Sequence, residues 1–571
     1  MKLKRSVIMP VLVAAVGLTT GGWLLQQGVD PQTNVYFQTR LLEEVVRRVS
    51  NEFVEEIDQD QLYQMAIDGM MDELGDPHSV FMTPEDYEDL RLQTQGEYGG
   101  LGIEIDIRNG WLTVLSPLPN SPAERVGLQA GDRIIRVEGE STEGWTTDRA
   151  VSELRGPKGS TVKITVARVG IEDPIPFEIT RGDIELTAVP AAYMLDDDVG
   201  YVELSVFSET ATDSLMHAID RLREQGATSL VLDMRRNTGG LLDQGMSVAD
   251  LFLERRQLIL ETRGRSPGQS RVFRATRDDQ YPGLQVAVLI GMQSASATEI
   301  VAGALQDHDR AVLIGETSFG KGSVQTLFEL PGRNILKLTT ARWYTPSGRS
   351  IQKPYGIGTG PETALMDGAE VEITDAEPDD DLVRDLEDKT EAGVPVYRTD
   401  SGRQVLGGGG ITPDLVVRDT LSSAEQALMR AVRDDVALFN NALYEYAVSY
   451  AHEHPALEPG FAVTDAMVAA FRDRLAEAGL EIEPAVYDDA RPLVDRRLAY
   501  EISVAAFDRQ EAWKRLTRDD PEIGAALELL NAAGSTDQLF ALLPDYAERN
   551  RLPLGVEYQQ ARGGGDATSP H

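Results

Sequence analysis

The spacing of apolar residues changes from region to region along this chain, and each change predicts a different architecture. Between residues 35 and 95, LLEEVVRRVSNEFVEEI and QLYQMAIDGMMDEL carry apolar residues at three- and four-residue intervals, the period of helices with one buried face. The turn GDPHS ends the second helix, because a residue before proline avoids helical geometry. From Gly96 to about residue 184 the pattern shortens to strand-like runs, LGIEIDI, WLTVLSPL, DRIIRVEG and TVKITVARVG, separated by glycine-bearing turns. SPAERVG predicts a short helix between them, and TTDRAVSELRG a longer one capped near Thr147.

From 186 to 420, longer strands alternate with helices. GYVELSVF, TATDSLMHAIDRLREQG and SLVLDMR form one β-α-β-like unit, and LQVAVLIG, ATEIVAGALQD and AVLIG a second, which implies an α/β domain. An Asp-, Glu- and Gly-rich insertion, 353–409, reads as a surface excursion ending in a flexible GGGG. Helical periodicity returns over 421–560, and 561–571 reads as a disordered tail. The expected fold is thus α/β multidomain: an N-terminal helical region (35–95), a small β-rich domain (96–184), an α/β core of mixed sheets and helices (186–420) and a helical C-terminal region.

A chain of 571 residues fits this division, since one hydrophobic core rarely serves so many. Cysteine is absent, which excludes a thiol nucleophile and any thiolate metal site. The formal net charge of −39 argues against nucleic acid, which needs a basic footprint. At the N-terminus, MKLKR precedes a stretch with no charge from Ser6 to Val29, long enough to span a bilayer. Positive flank first places the remainder outside the cytoplasm. The segment 1–29 reads as an uncleaved anchor in the inner membrane or as a cleaved signal peptide. No A-x-A-like site follows the apolar run, which favours the anchor. The expected location is the periplasm.

Candidate chemistry concentrates at three predicted strand ends. GETSFGKGSVQ (315–325) approaches a phosphate-binding loop, but Gly322 stands where Ser or Thr should hold magnesium. SVQTLFEL after it reads as extended chain rather than a helix. GMQSASATEI places Ser294 and Ser296 at the head of a helix, where the next amide is unsatisfied and the dipole favours negative charge. A nucleophile beside an oxyanion donor and an ordinary helix cap share this pattern. DMRRNTGG (233–240) offers glycine N–H groups after its own buried strand, and Gln325 follows Lys321 by four residues. Serine, lysine with an amide partner and a glycine turn are the cast for acyl transfer with lysine as base. His308 in QDHDR reads as a surface residue rather than a triad member. His78 reads as a turn residue, and AHEHP (His452, His454) lacks metal-site spacing.

GLGI, SPAERVGLQAGDRIIRVEG and LRGPKGSTVKITV resemble a PDZ domain of the type found in processing proteases. Gly100, Leu101, Gly102 and Ile103 match its carboxylate-binding loop. SASATEIVAGAL, GETSFGKGSVQ, DMRRNTGG, TARWYTPSGRSIQ and GITPD resemble the carboxyl-terminal processing (tail-specific) protease family, a Ser–Lys peptidase group. The resemblance spans about 35–420. It implies Ser296 as nucleophile, Lys321 as general base and Gln325 as the residue orienting it. It also implies an oxyanion hole from Ala297 and Gly239 or Gly240, and no metal or cofactor. Thr298 stands where the family usually has Ser, and Thr238 where Pro is common. At pH 7 fewer than about one in a thousand exposed lysines is neutral. Lys321 is therefore expected to be largely buried, with no carboxylate against its ammonium. Expected partners are protein or peptide substrates with free C-termini, and the flanking helices suit a homo-oligomer or an adaptor protein. The alternative is a non-catalytic PDZ scaffold that only binds C-termini, against which the intact Ser, Lys and Gln set speaks.

Overall fold

The computed structural model describes residues 35–95, 97–118, 120–185, 187–353, 395–417, 421–507 and 509–550. The N-terminal segment 1–29, most of the insertion 353–409 and the tail 561–571 lie outside the described residues. Among those described, no helix is long and apolar enough to cross a membrane. The described residues fall into two compact units, one of 35–83 with 327–339 and one of the remainder.

The first unit contains helices Val35–Glu52 and Gln59–Glu73 and, unforeseen in the apolar spacing, a strand Val80–Met82. That strand pairs antiparallel with Ile335, Leu336 and Lys337. A three-residue strand leaves no readable period, so only its distant partner defines it. As expected, His78 sits in a turn, where its N–H donates to Asp76 Oδ1 at 3.1 Å.

The second unit contains the small β-rich domain. Its sheet runs in the order Ile103–Arg108, Trp111–Pro117, Arg133–Val137, Thr161–Ala167, Ile175–Thr180, with a separate ribbon of Glu97–Gly100 and Gly182–Glu185. Ile103–Arg108 is the terminal strand of that sheet. Ser121 caps the helix Pro122–Val126, and Thr146 caps Thr147–Leu154 through its side chain.

The α/β core is built on a six-stranded sheet: Ala191–Met194, Val199–Glu203, Ser229–Asp233, Gln285–Ile290, Val312–Gly315, Leu415–Val416. The first pair is antiparallel and the rest are parallel. Buried on both faces, its strands are apolar at nearly every position. In QVAVLI, Val286, Val288 and Ile290 join the core under helices Ala211–Glu224, Leu242–Asp250 and Ala297–Asp307. Ala287 and Leu289 face the other way.

The C-terminal region is helical, as expected, and its helices divide between two cores. Helices Pro521–Ala532 and Thr536–Asn550 cover the sheet with Ile523, Ala526, Leu529, Leu530, Leu539 and Leu543. The preceding helices, from Ser423–Ala431 to Arg491–Ala506, form a separate core around Phe439, Phe471 and Leu498. They meet the β-rich domain through Tyr444, whose hydroxyl donates to the Val114 carbonyl at 2.8 Å, and through an Arg133–Glu445 ion pair of 2.7 Å.

The reading of GGGG as a flexible link requires a correction. Gly408 and Gly410 give their N–H groups to the carbonyls of Ser350 and Ile351 at 2.6 and 2.8 Å. A Cβ added at Gly410 would lie 2.3 Å from the Ser318 carbonyl oxygen. The glycines permit close packing against the 318–320 loop, so the run is part of the core rather than a flexible link.

Candidate active site

Three loops leave the carboxyl ends of neighbouring parallel strands, where open α/β sheets build their sites. The first, Met234–Gly240, follows Ser229–Asp233. Asn237 organises it: its Nδ2–H donates to the Leu204 carbonyl at 2.9 Å, and its Oδ1 accepts the Gly239 N–H at 2.9 Å. The second loop, after Gln285–Ile290, is bonded to the first. Ser294 Oγ donates to the Met234 carbonyl (2.8 Å), and Ala295 N–H and Thr298 Oγ1 donate to the Asn237 carbonyl (3.2 and 2.8 Å). Thr298 thus supplies the hydroxyl that a serine would.

Ser296 ends that second loop as the residue ahead of the helix Ala297–Asp307. Its backbone angles are φ 57° and ψ −113°, a region an L-residue occupies only under constraint. Ser294 is fully buried and committed to Met234, whereas Ser296 is half-buried. A Cβ added at Gly239 would lie 2.9 Å from the Ser296 Cβ and 3.2 Å from the Ala297 nitrogen. The glycine turn and the Ala297 amide are therefore close neighbours of Ser296, an approach only glycine permits. Because Gly239 N–H is taken by Asn237, Gly240 is the better of the two oxyanion candidates.

The third loop, 316–322, carries Lys321 and continues into the strand Ser323–Glu329. Extended chain after the lysine leaves no helix N-terminus to hold a phosphate, in line with the sequence reading. Lys321 is half-buried rather than largely buried; it is the loop backbone that is enclosed. A carboxylate reaches this residue at its amide: Lys321 N–H donates to Glu299 Oε2 at 2.9 Å. Gln325 lies on the following strand, half-buried, with its Nε2–H on Ser323 Oγ at 2.9 Å.

Glu299 is the residue that sequence reasoning missed. Fully buried, it accepts Ser296 N–H (2.8 Å) and Lys321 N–H (2.9 Å) on Oε2, and Ser318 Oγ–H (2.6 Å) and Gly320 N–H (2.7 Å) on Oε1. One carboxylate thereby draws the serine and lysine backbones to a single oxygen. Burial pushes its carboxyl above the usual range, and these four donors offset only part of that. The S-x-x-E spacing of Ser296 and Glu299, a helix-capping signature, was the available signal. Asp233, also buried, differs. Burial raises it, but the facing Arg235 guanidinium and the Tyr201 hydroxyl outweigh this and hold it low.

His308 is not the surface residue expected. Its side chain is 7% exposed, and its ring nitrogens meet Asp400 Oδ2 and the Leu258 carbonyl, both at 2.7 Å. Long-range packing of 400 and 258 encloses what a polar local sequence suggested was exposed. It follows the helix that Ser296 precedes, about 18 Å away at 1.5 Å per residue, too far for a triad. His452 and His454 are exposed, and no metal-ligating cluster occurs among the described residues.

In the β-rich domain, Gly100 pairs with Gly182 and buried Leu101 takes the Ala123 N–H on its carbonyl at 2.9 Å. Gly102 has φ 71° and packs against Ser121, so a Cβ there would clash at 2.4 Å. Ile103 opens the terminal strand, which pairs on one side only among the described strands.

Comparison with known proteins shows the family. A carboxy-terminal-processing protease of Bartonella bacilliformis is 41% identical over 359 residues, covering 62% of this chain and 81% of that protein. The chain belongs to the carboxy-terminal processing proteases. Residues 198–363 match peptidase family S41, 89–167 a PDZ domain, and 25–86 the N-terminal domain of the activating protease CtpB. The carboxy-terminal processing protease CtpA of Bacillus subtilis is 34% identical over 59% of this chain and 71% of its own length. Among solved structures, a photosystem II D1 C-terminal processing protease is 29% identical over 55% of this chain and 89% of its own, with a TM-score of 0.32. The protein is thus a protease with a PDZ domain, as the sequence resemblance implied.

Proposed function

We propose that this protease is a serine endopeptidase that receives a substrate's C-terminal segment on its PDZ domain and cleaves by a Ser–Lys mechanism. Ser296 Oγ attacks the scissile carbonyl while the neutral Lys321 amine, oriented by Gln325, takes its proton. The N–H groups of Ala297 and Gly240 face the developing oxyanion. The lysine ammonium returns the proton to the leaving amine, and the acyl-enzyme on Ser296 is hydrolysed by water that Lys321 deprotonates. The observation that carries this reading is the shared Glu299 Oε2, which brings the serine and lysine loops together. The PDZ role is supported by the open edge of Ile103–Arg108 beside the Gly100–Ile103 loop.

Ser296→Ala and Lys321→Ala should each lower cleavage of an unfolded protein substrate about a thousand-fold or more, with folding intact. Full activity in Lys321→Ala would remove the lysine from the mechanism. The uncharged N-terminal stretch supports export and anchoring in the inner membrane with the enzyme in the periplasm. Protease accessibility in spheroplasts checks this, and a cytoplasmic chain would refute it. Exposed Tyr36, Phe37, Leu41 and Leu42 on the first helix support self-association or an adaptor contact. Light scattering of a chain lacking 35–52 tests the former.

A further inference from the structure

Arg235 sits two residues past buried Asp233 in the loop that carries Gly239 and Gly240. Its Nε and Nη2 bind Asp233, with Nη2 at 2.7 Å from Oδ2. Its Nη1 turns the other way, to Asp520 Oδ2 at 2.7 Å and to Glu522 Oε2. Asp520 caps the helix Pro521–Ala532 and Glu522 lies in its first turn, 285 and 287 residues from Arg235 along the chain. Both lie beyond the segments that match known families, 25–86, 89–167 and 198–363. The side chains are largely enclosed, at 20% exposed for Arg235, 12% for Asp520 and 6% for Glu522.

The contact reaches two of the three active-site loops. Arg235 belongs to the glycine turn, which is tied to the serine loop at Met234 and Asn237. A Cβ added at Gly315, where the lysine loop begins, would lie 3.1 Å from Glu522 Oε1. A second arm from the same C-terminal region enters through Trp513, whose Nε1–H donates to the Tyr201 hydroxyl at 3.3 Å; that hydroxyl in turn donates to Asp233 Oδ2 at 2.9 Å. A guanidinium is a rigid planar fork, so carboxylates on its two edges fix its orientation and that of the loop bearing it.

We propose that Asp520 and Glu522 are positioning residues for the active site, acting through Arg235 to hold the oxyanion-side glycine turn in register with the serine. The proposal rests on the Ser296–Lys321 reading above. The start of the helix Pro521–Ala532, not its packed body, then supports the active site through Arg235.

The test measures kcat and KM of the full-length protein on an unfolded protein substrate, with thermal unfolding followed in parallel. Glu522→Gln with Asp520→Asn should lower kcat about 10- to 100-fold with KM little changed, since a displacement near 1 Å is enough for such a loss. Glu522→Asp should recover part of it. Leu529→Ala, which removes packing from the same helix, should lower the unfolding temperature while keeping kcat below that temperature. In an Arg235→Gln background the two carboxamide changes should cost nothing more. Unchanged kcat in the double variant, or a loss that merely follows unfolding temperature as in Leu529→Ala, overturns the proposal. So does full additivity with Arg235→Gln. An inactive parent, or an active Ser296→Ala, would instead overturn the underlying site reading.

Discussion

Asp233 and Glu299 are both buried carboxylates beside the Ser296 loop, and the fold accommodates them in opposite ways. Asp233 meets a cation, Arg235, and its carboxyl is held low. Glu299 meets three main-chain amides and a hydroxyl, which offset only part of the burial that pushes its carboxyl up. A cation concentrates its attraction in one side chain, which the chain must then anchor elsewhere, here on Asp520 and Glu522. Oriented amides spread the attraction over the backbone and fix the loops themselves. The second arrangement suits the lysine base proposed above, since it adds no second cation to the Lys321 loop.

Removing the cation should have the larger effect. Arg235→Ala leaves buried Asp233 and Glu522 and part-buried Asp520 without their shared cation and should cost about 3–5 kcal/mol, read from the urea midpoint. A change below about 1 kcal/mol would mean that solvent reaches Asp233. Glu299→Gln keeps the volume but places an NH2 group against donors, and should cost about 2–3 kcal/mol with a loss of cleavage of about a hundred-fold. Wild-type cleavage in that variant would mean that the shared oxygen does not set the loop spacing.

The two carboxyls should also give stability opposite pH dependences. Asp233, held low, contributes stability that is present above about pH 4 and lost as the pH falls through its folded pKa. Glu299, held high, favours the protonated form. Its contribution is present below about pH 4 and lost as the pH rises through its folded pKa. Asp233→Asn should therefore flatten the acid limb of a stability profile, and Glu299→Gln the limb just above pH 4. Identical profiles would erase the distinction. The smallest effects should come from single donors. Tyr201→Phe and Ser318→Ala should each cost about 1 kcal/mol, and only the first should lessen acid resistance.

The helices Ala211–Glu224 and Ala297–Asp307, the PDZ strands and the serine, lysine and glycine loops were all legible in the sequence. Each is written in local periodicity, caps and turn residues, which act over a few positions. Glu299 was legible in principle through its spacing from Ser296, but a capping pattern does not say that the same carboxylate will also meet Ser318, Gly320 and Lys321. His308 and GGGG were misread for a related reason: polarity and glycine content describe how a segment behaves alone. Asp400, Leu258, Ser350 and Ser318 come to them from distant parts of the chain and enclose them.

What the sequence determined by itself is therefore the set of elements and the chemical groups at their ends, because both follow from side-chain type and short-range geometry. What only the tertiary structure decided is which buried charges meet. Asp520 and Glu522 reach Arg235 across 285 and 287 residues because the helix that carries them covers the apolar face of the sheet. Apolar burial, which carries no direction of its own, brings that helix to the sheet; the carboxylates at its start then fix where the guanidinium points.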